Sequence, residues 1–241
     1  GLMNLALHDL QPQNFDVGDS LSPGPHTEER YDVILTNPPY GGNQKKKRAR
    51  NDFMVETRSP ELNFVQHAMS LLRDGGECGM VVPDGVLFQS GQAERVREHL
   101  LRDYNLHTIL ILPVGAFHPY TNVTTNVIFF EEGESTDEVW FYDLRTEVEK
   151  IKKSNPLTKE HFSDFLNNYN SRKDSESYFS VSIEEIQETD YSLNYKKYKE
   201  FENTEEEIPE PEELITELSS LQDSISQSVN EIQELIESED D

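Results

Sequence analysis

Apolar residues recur along the first part of the chain in two alternating patterns. Runs of strand length lie at 31–36, 78–83 and 106–112. Between the first two runs, a segment that opens at Ser59 carries apolar residues three and four positions apart up to the glycine pair 75–76, a common helix stop. A second helical pattern follows the run at 78–83. Strands that alternate with helices predict an α/β fold with a parallel sheet.

Shorter patterns predict the remaining elements. Residues 1–10 indicate the end of a helix, and residues 14–21 indicate a short strand that runs into a turn. Residues 125–130 and 138–142 predict an antiparallel pair that closes around a glycine. The run at 31–36 shows no polar alternation, which predicts a strand buried on both faces. Ligands of such parallel sheets bind beyond the carboxyl ends of the strands.

The pattern changes after residue 145 and divides the chain into three predicted parts. Residues 1–145 hold the α/β pattern, whereas residues 146–204 carry charged helical segments and tyrosine-rich turns. Residues 205–241 begin as an acidic linker and continue as a helix with the apolar spacing of a coiled coil. Such a strip cannot bury itself, so we expect it to dock on a helical partner, with the body of the same chain as the alternative.

Charge is unevenly distributed along the 241 residues. The formal net charge is -26, and residues 200–241 carry 16 acidic side chains and no Lys or Arg, which leaves -10 for the rest. One basic cluster nevertheless follows residue 40, and its members are Lys45, Lys46, Lys47, Arg48 and Arg50. We interpret it as a loop that neutralises DNA phosphates in a salt-dependent way, or as a solvated loop without a partner.

The most informative residues follow the run at 31–36 and are Asn37, Pro38, Pro39 and Tyr40. A residue that precedes a proline is restricted to extended conformations, so the carbonyls of Asn37 and Pro38 point in fixed directions. The amino group on a nucleobase is a poor nucleophile because its lone pair is delocalised into the ring. Two acceptors that grip its hydrogens, the Asn37 side-chain oxygen and the Pro38 backbone oxygen, would free that lone pair for a methyl group.

The Tyr40 ring adds a stacking face for a base extruded from the duplex. The motif therefore predicts methyl transfer to a planar amino group, with Asn37, Pro38, Pro39 and Tyr40 as the catalytic residues. The alternative is an ordinary turn, because Asn-Pro commonly opens turns and Pro-Pro commonly ends strands.

Two other loops leave predicted strands at the same kind of position. Asp19 would lie at the carboxyl end of the short strand at 14–21. A carboxylate there could accept a hydrogen bond from the adenine amino group of a nucleotide-like cofactor. The alternative is an ordinary Gly-Asp-Ser turn. After the run at 106–112, Phe117 or Tyr120 would sandwich a flipped base, or these rings would instead plug the edge of the sheet.

Composition excludes several classes of protein. One cysteine, Cys78, rules out an internal disulfide, fits a reducing cytoplasm and is expected in the core. No apolar run approaches the length of a membrane span, and the seven histidines show no metal-ligand spacing, so we expect neither a membrane segment nor a metal site.

Four separated blocks together resemble a known family, and they lie at residues 18–21, 37–42, 75–88 and 112–130. They resemble, in the same order, the modification subunit of type I restriction-modification systems. The likeness extends from residue 1 to about residue 169 and includes 140–144.

The resemblance implies a Rossmann-like α/β sheet that transfers methyl from S-adenosylmethionine to N6 of adenine in double-stranded DNA. It further implies that residues 37–40 are catalytic, that Asp19 with Ser20 and Leu21 contacts the cofactor beside Asn37, and that Phe117 stacks on the target base. The implied partner of the C-terminal helix is a specificity subunit, and a restriction subunit is a further candidate partner.

One departure from the family is expected to matter. No Phe-x-Gly-x-Gly-like cofactor loop occurs in this sequence, so an upstream methyltransferase half would have to supply the rest of the cofactor pocket. The sheet is accordingly expected to be partial, without its amino-terminal strands, and the chain alone is expected to bind cofactor weakly. Two alternatives remain: a non-catalytic assembly module that binds the specificity subunit, and a protein glutamine methyltransferase, because an amide nitrogen also presents two hydrogens.

Overall fold

A six-stranded mixed sheet forms the centre of the protein in a computed structural model. The structure describes residues 2–10, 17–22, 28–41, 50, 52–117, 123–146, 148, 151, 156–172, 174–175 and 177–199. The strands are β1 (Tyr31–Thr36), β2 (Leu72–Pro83), β3 (Tyr104–Ile111), β4 (Thr125–Glu132), β5 (Glu138–Asp143) and β6 (Tyr178–Ser182). Their order is β1-β2-β4-β3-β5-β6.

Strand direction determines where the loops meet. β1 pairs with β2 in parallel, β3 pairs with β5 in parallel, and β4 runs antiparallel between β2 and β3. Strands β1, β2, β3 and β5 therefore all point the same way, and their carboxyl ends share one edge of the sheet. β6 is antiparallel to β5 and closes the far side.

The helices are α1 (Leu2–Leu7), α2 (Pro60–Leu71), α3 (Asp84–Phe88), α4 (Gln92–Asp103), α5 (Ser163–Asn168) and α6 (Ile183–Glu188). α2 begins where its sequence predicts: the Ser59 hydroxyl accepts from the Leu62 N–H at 3.3 Å, and Pro60 occupies the first turn, where it sacrifices no hydrogen bond. No helix in the described part of the chain has the length and hydropathy needed to cross a membrane.

Two hydrophobic clusters cover the two faces of the sheet. On one face, α2, α3 and α4 pack against alternate residues of β2, among them Cys78, Met80 and Val82. Cys78 is buried as expected, and burial raises the pKa of its thiol to about 12, so the thiol stays protonated and inert at neutral pH.

Aromatic rings dominate the opposite face. The Phe165 ring of α5 stacks on Trp140 of β5 with centroids 5.7 Å apart, and Tyr142 stacks on Tyr178 of β6 at 5.2 Å. Within residues 146–204, which the sequence sets apart as a small helical region, β6 therefore extends the main sheet and α5 packs on its aromatic face. Residues 1–199 form one compact unit and residues 200–241 a second, and the C-terminal helix expected in 205–241 lies outside the described residues.

The prediction that β1 is buried on both faces was wrong. β1 is the edge strand of the described sheet, and Tyr31, Val33 and Leu35 on one of its faces are 40%, 59% and 79% exposed. Only the opposite face, through Ile34, packs against the core. An apolar run records which residues favour burial, but it does not reveal whether a neighbouring element covers them.

Three other local expectations need correction. β4 and β5 do not pair with each other, because β3 lies between them. The glycine pair 75–76 lies inside β2, where Gly75 takes a positive φ of 70° at an irregularity of the β1–β2 pairing, and α2 ends earlier at Leu71. Within 14–21, the described residues 17–21 form turns and no strand.

Candidate active site

Three loops meet at the edge of the sheet where the parallel strands end. Residues 37–40 follow β1, residues 84–88 follow β2, and residues 112–117 follow β3. In the β1–β2 register Thr36 lies opposite Met80, so β2 extends three residues beyond the end of β1 and forms a wall beside the Asn-Pro-Pro-Tyr motif. This edge is where α/β sheets bind their ligands.

The motif exposes one of its two predicted acceptor residues to solvent, Asn37, whereas Pro38 is buried. Asn37 is exposed, and its Oδ1 accepts a hydrogen bond from the Tyr40 hydroxyl at 2.5 Å. An amide oxygen has two acceptor positions, so one remains for a ligand. Within the described residues no donor bonds to the Pro38 carbonyl, and Pro38 as a whole is buried.

Tyr40 orients the Asn37 amide. Its side chain is half-buried, and burial raises the pKa of the Tyr40 hydroxyl to about 12. The hydroxyl therefore remains a donor at neutral pH and holds Oδ1 of Asn37 in one direction. A side chain fixed in this way can bind a ligand without first losing rotational freedom.

A carboxylate on α2 holds the end of the motif. The Gly41 N–H donates to Glu61 Oε1 at 2.6 Å, and the Ser59 hydroxyl donates to Glu61 Oε2 at 2.7 Å. Burial of Glu61 opposes ionisation, but its hydrogen bonds outweigh it and hold the pKa of the carboxyl below its ordinary value. Gly41 takes a φ of 68°, a left-handed conformation that glycine adopts without strain.

The hydrogen bond between Glu61 and the Gly41 N–H, here called the Glu61 clasp, was not found from the sequence. Ser59-Pro60-Glu61 indicates a helix start, and the same residues also bind a backbone group 20 positions earlier in the chain. Only the fold brings α2 and the motif together.

A hydrogen-bonded polar pair lies at the end of β2. The Asn126 side chain donates to Asp84 Oδ1 at 2.6 Å, and the Asp84 N–H donates to the Thr124 carbonyl at 3.2 Å. Asn126 is 2% exposed and lies between Val82 of β2 and Ile111 of β3. The pair joins α3 to the start of β4 and makes the middle of the edge rigid.

Phe117, predicted either to stack on a flipped base or to plug the edge of the sheet, follows β3 in the loop at residues 112–117. The loop after β3 turns through a bond from the Ala116 N–H to the Pro113 carbonyl at 3.1 Å. The Phe117 ring is half-buried against the aromatic cluster, which leaves part of its surface at the edge. Tyr120, the other predicted stacking ring, lies outside the described residues.

Three of the four predicted cofactor contacts, Asp19, Ser20 and Leu21, lie in a turn, and the fourth, Asn37, follows β1. Asp19 accepts from the Leu21 N–H at 3.2 Å and from the Ser22 hydroxyl at 3.0 Å, which is the geometry of an Asx turn. Asp19 and Ser20 are exposed, and Leu21 is buried. The ordinary turn weighed as the alternative is present.

The predicted phosphate-binding cluster is only partly described. Lys45, Lys46, Lys47 and Arg48 lie outside the described residues. Arg50 is buried, pairs with Asp52 and lies over the Phe53 ring at 5.0 Å. Its Nη1 is 2.8 Å from Nδ1 of His67, whose pKa falls to about 4 through burial and the Arg50 charge. Arg50 is therefore a structural residue in this fold, because its charge is already neutralised.

No group of three or more His, Cys, Asp or Glu is arranged to hold a metal ion among the residues that the structure describes. The chemistry of the edge therefore rests on amide and carbonyl oxygens, a tyrosine and nearby carboxylates.

The sheet and this edge define an α/β protein of the methyltransferase class. The chain belongs to the N-6 DNA Methylase family, whose profile matches residues 1–207. This match confirms the fold class and the family resemblance drawn from residues 18–21, 37–42, 75–88 and 112–130.

Curated relatives and solved structures agree with this family. The chain is 31% identical over 245 residues to the type I restriction enzyme EcoEI methylase subunit of Escherichia coli, and the alignment covers 97% of this chain and 49% of that protein. It is 37% identical over 179 residues to the type I restriction enzyme EcoKI methylase subunit of Escherichia coli K12, and the aligned residues make up 68% of this chain and 33% of that protein. A chain from a structure of the type I restriction-modification system superposes with a TM-score of 0.73 at 34% identity, over 98% of this chain and 52% of that one. The chain thus spans about half the length, or less, of the relatives it matches.

Proposed function

We propose that this chain is the target-base half of a DNA methyltransferase that transfers a methyl group from S-adenosylmethionine to N6 of adenine, within a type I restriction-modification complex. The observation that carries the proposal is the hydrogen-bonded and clasped Asn-Pro-Pro-Tyr motif, with Asn37 exposed, at the carboxyl edge of the sheet in a chain of this family.

The residues of the motif divide the work. Asn37 Oδ1 and the Pro38 carbonyl accept the two hydrogens of the adenine amino group, which draws the nitrogen lone pair out of the ring plane. Tyr40 fixes the Asn37 amide through its hydroxyl and offers its ring to the extruded base. The two oxygens also stabilise the positive charge that develops on the nitrogen, and the nitrogen then releases one proton to solvent.

S-adenosylmethionine supplies the electrophilic methyl group on its sulfonium. The described residues fit this cofactor in part: the exposed Asp19 carboxylate can accept from an adenine amino group, and Asn37 lies at the edge where the methyl must arrive. The exposed face of β1 supports a pocket at this end whose remaining wall comes from outside the described residues.

The rest of the enzyme completes that wall in our proposal. The relatives are about twice as long as this chain, and the exposed Val33 and Leu35 of β1 are an apolar surface for the other half to cover. Residues 205–241 would bind a helix of the specificity subunit, a restriction subunit would join the same complex, and the reaction would take place on double-stranded DNA in the cytoplasm.

A reconstituted complex tests the proposal. We would express the chain with the remaining methyltransferase half and a specificity subunit and measure transfer of labelled methyl to DNA. Asn37→Ala is expected to lower the rate by about 100- to 1000-fold, because one of two preorganised acceptors is lost. Asn167→Ala, an exposed asparagine on α5, is the matched control and should leave the rate unchanged.

The outcomes separate the candidate functions. Methylated DNA that depends on Asn37 supports the proposal, whereas methylated protein would indicate a glutamine methyltransferase. An assembled complex without any transfer would indicate a non-catalytic module and overturn the proposal. The family match favours DNA as the substrate.

A further inference from the structure

A second group of positive charges lies near the carboxyl edge, in residues 194–199, here called the lysine turn. It contains Lys196, Lys197 and Lys199, and no acidic residue occurs from 191 to 199. The whole chain has 47 acidic and 21 basic side chains, so a local excess of three positive charges contrasts with the acidity of the chain as a whole. Such an excess raises the local potential and attracts anions.

Aromatic residues fix the turn to the end of β5. The Arg145 guanidinium lies 4.7 Å from the centre of the Tyr195 ring, and it makes two 2.7 Å bonds to the carboxylate of Asp143, the last residue of β5. The Tyr198 ring packs on Phe141 with centroids 6.0 Å apart. The tyrosines therefore point inward.

Backbone contacts fix the other end of the turn to the loop after β2. The Leu193 N–H donates to the Leu87 carbonyl at 2.8 Å, and the Leu193 side chain is 2% exposed. The buried Arg97 guanidinium donates to the Tyr191 and Val86 carbonyls at 2.6 and 2.9 Å. With both ends held, the turn has little freedom to lose when it binds a ligand.

The lysine side chains remain available. Lys196 and Lys197 are exposed and Lys199 is partly exposed. No carboxylate in the part of the chain described by the structure forms an ion pair with Lys196 or Lys197. Lysine is depleted from the cores of protein interfaces, and the apolar groups of the turn are already buried, so the surface suits phosphate better than an apolar protein partner.

The position of the turn relates it to the methylation site. Leu87 follows β2 and Arg145 follows β5, so the turn lies at the same edge as Asn37. The ends of β1 and β5 are four strand spacings apart, about 19 Å at roughly 4.8 Å per strand. Phosphates of one DNA strand advance by about 3.4 Å per nucleotide along the axis, so this separation equals about five to six base pairs.

We propose that the lysine turn binds the phosphodiester backbone of the substrate duplex, about five to six base pairs from the methylated adenine. The inference rests on the proposed function, because it requires a duplex at this edge. Contacts to phosphates carry no sequence information, so the turn orients the DNA and leaves the choice of sequence to other groups.

Salt-dependent binding tests the proposal in the reconstituted complex. Lys196→Gln/Lys197→Gln is expected to make the slope of log affinity against log salt less steep by about 1.8. If the two proteins bind DNA equally at ~1 M salt, the variant should then bind about 60-fold more weakly than the unmodified protein at ~0.1 M salt. The rate at saturating DNA should stay unchanged. Arg73→Gln/Arg102→Gln is the matched control, because it removes the same charge from exposed residues at the opposite edge.

DNA with neutral phosphates locates the contact. A methylphosphonate five or six base pairs from the adenine should weaken binding of the unmodified protein and have little further effect on the lysine variant. An unchanged salt slope in the lysine variant, or an equal loss in the arginine control, would overturn the inference. If the unmodified complex methylates no DNA, the proposed function fails and the inference falls with it. If the complex methylates DNA normally but the lysine variant has an unchanged salt slope, only the proposed phosphate contact of the lysine turn is refuted.

Discussion

Strands β1 and β5 are both six residues long and largely apolar, yet they occupy opposite environments. In β5, Val139, Trp140, Phe141 and Tyr142 are each 0% exposed. In β1, Leu35 is 79% exposed. β5 is buried on both faces, and β1 leads into the Asn-Pro-Pro-Tyr motif beside an exposed apolar surface. Two apolar strands of equal length therefore differ in burial because described neighbours cover both faces of β5 and only one face of β1.

The largest effect is expected in the β5 core. Trp140→Ala should lower the free energy of unfolding of the isolated chain by about 3–5 kcal/mol, because it leaves a cavity beside the Phe165 ring. Denaturant unfolding followed by circular dichroism measures this. Leu35→Ala is the comparison and should cost less than about 1 kcal/mol, because the Leu35 side chain buries little surface. Equal losses at both positions would contradict the distinction between the strands.

Assembly, unlike stability, should be sensitive to substitutions on the exposed face of β1. Val33→Asp/Leu35→Asp is expected to weaken association with the remaining methyltransferase half by about 100-fold or more, because it places charges in an apolar interface. Titration calorimetry measures the association. Leu166→Asp, at a residue of α5 that is 64% exposed, should leave it unchanged. Normal assembly of the β1 variant would show that this surface stays open to water in the complex.

The Glu61 clasp connects the stable body to the motif. Glu61→Ala is expected to lower the methylation rate about tenfold, because the Gly41 N–H loses its partner and the motif becomes less ordered. Glu61→Gln keeps an acceptor and should restore most of the rate. If Glu61→Gln is as impaired as Glu61→Ala, orientation through the Gly41 bond is not the role of this residue.

Acid should destabilise the described fold by a smaller amount. Burial, together with the charges of Arg50 and Arg172 respectively, lowers the pKa of His67 and His107 from 6.5 to about 4. Both imidazoles are therefore neutral in the folded state at neutral pH. Below pH 6.5 the unfolded chain binds protons that the folded chain does not, so the free energy of unfolding falls as the pH decreases from 6.5 towards 4. We expect a loss on the order of 1 kcal/mol per histidine over this range in denaturant unfolding.

Substitution separates the two histidines. His107→Gln should flatten the pH dependence of stability, because a neutral amide binds no proton in either state. A curve for this variant that still parallels the unmodified chain would assign the acid sensitivity to other groups.

The local elements were within reach of the sequence. Ser59 and Pro60 start α2 through contacts only a few residues away, and the apolar runs at 78–83 and 106–112 became the cores of β2 and β3. The Asn-Pro-Pro-Tyr motif was likewise visible, because proline restricts its own backbone and that of the preceding residue.

The tertiary structure decided every feature that depends on a distant neighbour. It made β1 an edge strand, inserted β3 between β4 and β5, paired Arg50 with Asp52 beside His67, and brought Glu61 to Gly41. Sequence patterns report what a residue prefers in its own segment. Burial, pairing and charge neutralisation depend on residues that only folding brings into contact, and for this reason the motif at residues 37–40 could be found in the sequence whereas its contacts with Glu61 could not.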